Sequence, residues 1–374
     1  MRMARAVWRV SVSRKLRERS RAVPKGEFRS ALREGYLVSS APLPLAGPTD
    51  RAPVGALGAA PLVRMKGVSV VFGGSVRALD DVSLSISQGE IVGLVGESGS
   101  GKTTLCRVLV GLTVATSGSV ELGGRRLSEL LDQEPLAFRR RVQMLLQDAV
   151  ASLSPRMTLG KTLHEPIAIH SLPRQEAALR LEAILQRLGL PADVLAKFPH
   201  QISGGQARRV GVARALVMQP QIIVADEPTA GLDVSVQGEL LNLLLDLQQE
   251  FGLTYLLVSH NLNMIRRVTG RTAVMYLGQI VEEAPTRALF DKPAHPYSAA
   301  LLSTNPAIDP QHRSRRIVLK GEIPSVVNPP SGCRFHTRCP VAQPRCASDV
   351  PLLTDLSPGR RVRCHFPFSL DPQR

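Results

Sequence analysis

The chain has 374 residues, of which 44% are hydrophobic and 4% aromatic; these values exclude a wholly disordered protein and favour an aliphatic interior. Its formal net charge is +16 at pH 7, a balance that would suit a nucleic-acid partner if it were evenly spread. No apolar run approaches the ~18–20 residues that cross a bilayer, so any link to a membrane is expected to depend on partner proteins.

The first 60 residues form a basic arm that holds half of the excess charge. They contain 12 Lys/Arg against four Asp/Glu, a net charge of +8. The arm is rich in Arg, Pro and Ala and lacks a continuous apolar stretch, so it predicts a disordered tail and linker and not a secretory signal. A basic tail on a less basic body favours three interpretations over a nucleic-acid-binding surface. It could be a disordered arm, a segment that contacts anionic lipid, or the result of a start codon placed too far upstream.

From about residue 62 the chain alternates strand and helix patterns. The predicted strands cover residues 68–72, 82–86, 90–95, 222–225 and 254–259. A mostly helical stretch is predicted from 127 to 195, with its clearest amphipathic part at 177–188, and a helix is predicted at 234–251. This alternation predicts an α/β fold, a parallel sheet covered by helices. The sequence shows no internal repeat, so a single such unit is expected.

A glycine-rich turn follows the third predicted strand. Residues 96–103 read Gly-Glu-Ser-Gly-Ser-Gly-Lys-Thr and fit the phosphate-loop pattern G-x4-G-K-[ST]. Lys102 is expected to reach the β- and γ-phosphates of ATP, and the Thr103 hydroxyl to bind Mg²⁺. The following helix adds the positive end of its dipole. The predicted nucleotide-binding residues here are Gly96, Ser98, Gly99, Gly101, Lys102, Thr103 and Thr104.

Two acids end the next buried strand, in the run Ile222-Ile-Val-Ala-Asp226-Glu227. An Asp at the carboxyl end of a strand can hold Mg²⁺, and a neighbouring Glu can polarise the attacking water. The pattern is common by itself, but a phosphate loop upstream makes it a strong indication of nucleotide hydrolysis. Asp226 is therefore predicted as a Mg²⁺ ligand and Glu227 as the catalytic base.

A second glycine-rich turn opens a helix at Ile202-Ser203-Gly204-Gly205-Gln206. With this segment the chain resembles the ABC ATPase family, whose usual signature is L-S-G-G-Q. The resemblance covers about residues 62–290. It implies an ATPase domain with a parallel-sheet core, an antiparallel β subdomain and a helical subdomain, and it implies that Ser203 to Gln206 close over an ATP held by a second ATPase subunit.

The resemblance assigns roles to four further residues. Gln147 matches the residue that senses Mg²⁺ in a loop contacting the membrane subunit, so it is predicted as a Mg²⁺ ligand and a catalytic residue. His260 matches the switch histidine that contacts the γ-phosphate and is also predicted to be catalytic. Asp233 ends the loop that crosses the dimer interface, beside the nucleotide. Phe72 matches the aromatic residue that stacks on adenine, and packing in the core is its competing interpretation.

Two segments resemble the ATPases of oligopeptide/dipeptide (peptide/nickel) importers. Residues 148–157 are similar to D-P-x-x-S-L-N-P-R-M, and Pro293-Ala-His-Pro-Tyr297 resembles the H-P-Y motif that opens the C-terminal extension of those proteins. The resemblance implies a heterodimer with a related ATPase, two integral permease subunits, an extracytoplasmic peptide-binding protein, and a peripheral position on the cytoplasmic face of the inner membrane.

Other functions compete with peptide import. A nickel chelate or glutathione is the cargo of similar transporters, and a soluble ABC ATPase could act on the ribosome or on nucleic acid. The second class generally carries two ATPase units or long coiled-coil insertions, neither of which the sequence has. No nucleic-acid partner is therefore expected.

Four of the five cysteines, Cys333, Cys339, Cys346 and Cys364, cluster in a Pro-rich C-terminal segment. Such a segment has little core of its own, so a metal site would stabilise it. The gaps are wider than the C-x2-4-C pairs of structural zinc. They favour a [4Fe–4S] cluster, which the family resemblance also implies. Zinc and no metal are the alternatives, and Cys106 is interpreted as a buried helix residue.

The expected domain organisation follows from these patterns. A basic tail covers residues 1–60, the ABC ATPase domain residues 61–292, and an importer-type C-terminal extension residues 293–374.

Overall fold

The computed structural model describes residues 60–304 and 317–370. The predicted basic tail therefore lies almost wholly outside the described residues. Within them, no helix combines the length and apolarity that crossing a bilayer requires.

A four-stranded antiparallel sheet forms one side of the protein. Its strands are β1 (Val63–Phe72), β2 (Val76–Ile86), β4 (Ser117–Leu122) and β5 (Arg125–Arg126), in the order β2-β1-β4-β5. This sheet is the predicted antiparallel β subdomain. Strands β1 and β2 begin five and six residues before their predicted starts. In β1 the register shifts between Met65 and Val68, around Gly67 with its positive φ of 57°, and this irregularity breaks the alternation that marks a strand.

An eight-stranded mixed sheet forms the centre. Its strands are β3 (Ile91–Val95), β6 (Val142–Leu145), β7 (Ile222–Asp226), β8 (Thr254–Val258), β9 (Arg271–Tyr276), β10 (Gln279–Pro285), β11 (Thr354–Ser357) and β12 (Arg360–Val362), in the order β11-β12-β10-β9-β3-β8-β7-β6. The pairs from β9 to β6 are parallel, whereas β10, β11 and β12 are antiparallel to their neighbours. The predicted α/β fold class is confirmed.

Eleven helices connect and cover the described strands. They are α1 (Lys102–Leu109), α2 (Leu127–Gln133), α3 (Pro135–Arg141), α4 (Leu159–Ile169), α5 (Arg174–Arg187), α6 (Gly204–Leu216), α7 (Val234–Phe251), α8 (Leu262–Val268), α9 (Thr286–Asp291), α10 (Pro296–Ser303) and α11 (Pro344–Ser348). Helices α4 to α6 form the predicted helical subdomain. The stretch from 127 to 195 is not helical throughout, since it contains β6, a four-residue strand too short to show a pattern.

The central sheet divides the core in two because successive side chains of a strand point to opposite faces. In β7, Ile222 and Val224 join the core beside α1 and the antiparallel sheet, while Ile223 and Ala225 join the core under α4 to α8. All four are buried. This explains why β7 reads as a continuous apolar run, as expected for a parallel strand covered on both faces.

The C-terminal segment is attached to the central sheet by strands and arginines. Strand β12 pairs with β10, with Glu282 opposite Val362. Arg334 binds Asp80, and Arg363 donates to the Asp81 carboxylate at 2.9 Å, so both reach strand β2. Strands β11 and β12 of this predicted extension therefore form one end of the central sheet.

Candidate nucleotide-binding and hydrolysis site

The predicted site residues follow four parallel strands at the same edge of the central sheet. The phosphate loop follows β3, Gln147 follows β6, Glu227 follows β7 and His260 follows β8. The carboxyl ends of parallel strands are where open α/β sheets bind ligands, because loops and helix N-termini meet there. The topology therefore explains how residues up to about 160 positions apart in sequence share one site.

The phosphate loop is held against strand β9 and strand β2. Gly96, Gly99 and Gly101 all have positive φ. A Cβ at Gly96 would overlap the carbonyl oxygen of Met275, and one at Gly101 would overlap the carbonyl oxygen of Ala78. Gly101 is also the N-cap of α1 and has no side chain to cap it, so the first amides of this helix can bind an anion.

Lys102 lies inside the phosphate loop. Its Nζ donates to the carbonyl oxygens of Gly96 and Glu97, both at 2.8 Å. Burial lowers its pKa, and the carboxylates of Glu227 and Asp226 oppose that shift. The ammonium group is therefore preorganised at the centre of the loop, where a phosphate can replace its carbonyl partners.

Asp226 and Thr103 meet beside this lysine. Burial raises the pKa of Asp226, and the nearby Thr103 hydroxyl opposes that shift. Asp226 is buried, whereas Thr103 is exposed. A carboxylate and a hydroxyl in this arrangement are oxygen ligands of the kind Mg²⁺ prefers.

Glu227 contacts the two other predicted catalytic residues, Gln147 and His260. Its carboxylate accepts a hydrogen bond from Gln147 Nε2 at 3.1 Å and lies 3.2 Å from Nδ1 of His260. Its backbone has a positive φ of 51°, a strained conformation for a residue with a side chain. This strain is fixed by a hydrogen bond from the Glu227 N–H to the carbonyl oxygen of Val258 at 2.9 Å. The carboxylate is thereby aimed into the space next to the phosphate loop.

The signature turn lies on the helical subdomain and does not contact this group. Ser203 caps α6 by accepting from the Gln206 N–H, while Gln206 Oε1 accepts from the Ser203 N–H, both at 3.2 Å. Within residues 60–304 and 317–370, no hydrogen bond or ion pair joins residues 203–206 to the phosphate loop. Asp233 and Phe72 are both exposed.

The family of the chain is decided by comparison with known proteins. Residues 79–230 match the family described as ABC transporter, and residues 281–346 match the family described as oligopeptide/dipeptide transporter, C-terminal region. YkfD of Bacillus subtilis is 48% identical over 296 residues, which cover 78% of this chain and 90% of that protein. The chain belongs to the ATP-binding subunits of oligopeptide/dipeptide ABC transporters.

Further relatives agree with this membership. The oligopeptide transport ATP-binding protein AppF of Bacillus subtilis is 44% identical to this ABC subunit over 297 residues, covering 78% of this chain and 90% of AppF. Among solved structures, the dimeric ATP-binding cassette MJ0796 bound to ADP and Pi is similar at 31% identity and a TM-score of 0.55, covering 60% of this chain and 99% of that one. This ABC subunit is accordingly an ATPase that uses ATP and Mg²⁺ and works with membrane permease subunits.

Two residues of the site were missed by the sequence analysis. Arg208, on α6, donates to the carbonyl oxygen of Pro228 at 2.6 Å and to that of Ala230. It therefore ties the signature helix of this ABC subunit to the loop after Glu227. The second is Glu97, inside the phosphate loop, whose partners lie in the C-terminal segment. Neither contact could be predicted from a local motif, because the partners lie 20 and 241 residues away in the sequence.

The four C-terminal cysteines line one small cavity together with His295, Phe335, His336 and His365. All four are free thiols. Burial raises the pKa of Cys339 to about 11 and that of Cys364 to about 12. Across the described part of the chain, no group of three or more His, Cys, Asp or Glu side chains is arranged to hold a metal ion. The predicted [4Fe–4S] cluster is therefore not confirmed and stays a prediction.

Proposed function

We propose that this chain hydrolyses ATP to drive the import of oligopeptides or dipeptides through a membrane transporter. The observation that carries the proposal is the meeting of Gln147, Glu227 and His260 beside the phosphate loop. The class of cargo rests on the relatives, because AppF is named for oligopeptide transport. The match of residues 281–346 to a region of oligopeptide/dipeptide transporters supports it as well.

In the proposed hydrolysis, each predicted site residue has one role around the nucleotide. Lys102 exchanges its carbonyl partners for the β- and γ-phosphates, and Thr103, Asp226 and Gln147 would hold Mg²⁺, which would neutralise charge on the phosphates. Glu227 orients a water and accepts its proton as the water oxygen attacks the γ-phosphorus in line and the bond to the ADP oxygen breaks. His260 contacts the γ-phosphate during this step. Binding of the remaining loop residues, Gly96, Ser98, Gly99, Gly101 and Thr104, and stacking of Phe72 on adenine complete the proposed site.

Residues 203–206 of this chain are proposed to contact an ATP that is bound by a second ATPase subunit. A Cβ at Gly204 would meet none of the described atoms within 4 Å, so no described neighbour requires glycine there. An approaching nucleotide would require it, because a bare backbone lets phosphates come close. Ser203, Gly205, Gln206 and Asp233 are proposed to face that nucleotide and subunit. By resemblance the partner is a related ATPase, in a heterodimer.

The rest of the transporter is proposed from the same resemblance. Two permease subunits would dock against the loop that carries Gln147, and an extracytoplasmic binding protein would deliver the peptide. The chain would sit on the cytoplasmic face of the inner membrane. Its proposed division is an ATPase domain at 61–292 and an extension at 293–374.

Cells that lack this chain are expected to lose uptake of labelled dipeptides or oligopeptides. Wild-type chain should restore uptake, whereas Glu227→Gln should not, because transport in this proposal consumes the free energy of ATP hydrolysis. The measurement is uptake of labelled peptide, glutathione and nickel by the three strains. Restoration of nickel or glutathione uptake with no change in peptide uptake would contradict the proposed cargo and leave the ATPase proposal intact.

Cys333, Cys339, Cys346 and Cys364 are proposed to hold a [4Fe–4S] cluster that stabilises the C-terminal segment. The cavity that all four line supports this proposal. Metal ligation needs thiolates, so the cysteines with raised pKa values would release their protons on binding. When bound, the cluster would act as a structural cross-link between the turns that carry the cysteines.

Protein purified without oxygen is expected to contain about four irons and four sulfides per chain, following the composition of a [4Fe–4S] cluster. Replacing Cys339 with Ser should release them, while replacing the buried helix residue Cys106 with Ser should not. The measurement is iron, zinc and acid-labile sulfide content with a visible spectrum. One zinc per chain without sulfide, or no metal at all, would contradict the cluster.

A further inference from the structure

The phosphate loop has one residue whose backbone and side chain are both held by the C-terminal segment. Glu97 is the second residue of the loop, at a position where the phosphate-loop pattern allows any amino acid. Its carboxylate accepts two hydrogen bonds from Arg338, at 2.8 Å to Nη1 and 3.2 Å to Nη2. Its backbone N–H donates to the hydroxyl of Tyr297 at 2.9 Å. These partners are 241 and 200 residues away in sequence.

The contact is enclosed and rigid on the arginine side. The Arg338 side chain is 8% exposed and that of Glu97 is 27% exposed. The guanidinium lies 5.9 Å from the centre of the Tyr276 ring, and the Tyr276 ring packs on Tyr297 at 4.7 Å between centroids. A two-pronged pair of this kind fixes direction as well as distance. Arg338 can therefore hold the Glu97 carboxylate in one orientation.

The Glu97 carbonyl oxygen is also one of the two backbone oxygens that accept from Lys102. Lys102 Nζ donates to the Glu97 carbonyl oxygen, and the Ser100 N–H donates to the same oxygen at 3.2 Å. The orientation of the 97–98 peptide therefore determines the position of the Lys102 ammonium group before nucleotide binds. A residue that fixes Glu97 fixes this peptide.

Three other arginines in the described part of the C-terminal segment pair with carboxylates of the two sheets. Arg334 and Arg363 bind Asp80 and Asp81 of strand β2, and Arg361 binds Glu283 of strand β10. They attach the segment to the sheet. Among Arg334, Arg338, Arg361 and Arg363, only Arg338 forms its ion pair with the phosphate loop.

We propose that Arg338, with Tyr297, is a positioning residue for ATP binding that acts through Glu97. The C-terminal segment then does more than attach to the core, because it sets the geometry of the loop that receives the phosphates. This inference rests on the ATP site proposed above and adds to it a requirement from the far end of the chain. Its expected signature is weaker MgATP binding, with turnover at saturating ATP largely kept.

The test is equilibrium binding of a fluorescent ATP analogue with Mg²⁺ to the full chain, together with KM and kcat for ATP. Arg338→Gln is expected to raise Kd and KM by roughly tenfold, a loss of about 1.4 kcal/mol, with kcat within about threefold. Arg338→Lys should recover part of the affinity, since it restores the charge without the two-pronged geometry. Arg345→Gln, an exposed arginine of the same segment paired with Asp349, is the matched control and should bind like wild type.

A double-mutant cycle separates positioning from simple loss of stability. If Arg338 acts through Glu97, the variant with both Glu97→Gln and Arg338→Gln should bind ATP no more weakly than the worse single variant. Effects that add in the double variant, or a Kd for Arg338→Gln within twofold of wild type, would overturn the proposal. If Arg338→Gln does not fold, Tyr297→Phe decides, because it removes only the acceptor of the Glu97 N–H and should raise Kd several-fold. Failure of the wild-type chain to bind ATP would instead overturn the proposed function.

Discussion

Replacing Glu227 with Gln is expected to lower ATP turnover by about 10²–10⁴-fold, the usual contribution of a positioned general base. Glutamine keeps the size of the side chain and can still accept the hydrogen bond from Gln147 Nε2. It cannot take a proton from the attacking water. Binding of MgATP should therefore be retained, and the measurement is turnover at saturating ATP together with the Kd of the nucleotide.

The control for this variant is Glu250→Gln, an equal change of charge at the end of α7. Glu250 is exposed and pairs with Arg187 on α5, away from the nucleotide site. Its turnover should equal that of the wild type. If Glu227→Gln keeps more than a tenth of the wild-type turnover, another group activates the water and the assignment of Glu227 is wrong.

Replacing Phe335 with Ala is expected to destabilise the C-terminal half of the protein by about 3–5 kcal/mol, the typical cost of truncating a buried phenylalanine. Phe335 is 1% exposed and packs edge-on against Tyr276 and Tyr297, at 5.3 and 5.4 Å between ring centroids. Its loss leaves a cavity between strand β9, helix α10 and the cysteine turns. The measurement is the urea midpoint followed by circular dichroism.

Phe368 is the matched control for that change, since it lies in the same segment but is 39% exposed. It covers Lys292 and Arg360 through ring–cation contacts, so its removal should cost much less. Equal shifts for the two variants would contradict a core role for Phe335.

The nucleotide site could be predicted from sequence because its parts are local motifs. Phosphate loops, acid pairs and the signature turn carry their chemistry within a few consecutive residues, and the buried strands that deliver them read as apolar runs. The helix from Val234 to Phe251 has the predicted bounds, because its apolar face repeats over five turns. The catalytic roles assigned to the residues of these motifs stay predictions.

The rest depends on distant pairings that leave no local pattern. Strand β6 is four residues long, and β12 is three, so neither shows an alternation that distinguishes it from a loop. Arg338 lies in a Pro-rich stretch with many charges, and only the folded chain brings it to Glu97. The irregularity at Gly67 likewise interrupts the alternating pattern of β1, so the first half of that strand was not predicted. The register there depends on pairing with the neighbouring strands.

The last two strands have a consequence for how the protein is made. Glu282 and Glu283 of β10 are buried, at 0% and 4% side-chain exposure, and their partners Arg360 and Arg361 lie on β12. Until residues 354–362 leave the ribosome, these carboxylates lack those partners and β10 presents an open edge. An open edge can pair with a strand of another nascent chain. The hairpin of β11 and β12 covers this edge. Chains interrupted before it are therefore expected to be exposed to aggregation and proteolysis, even though every predicted catalytic residue has already been synthesised.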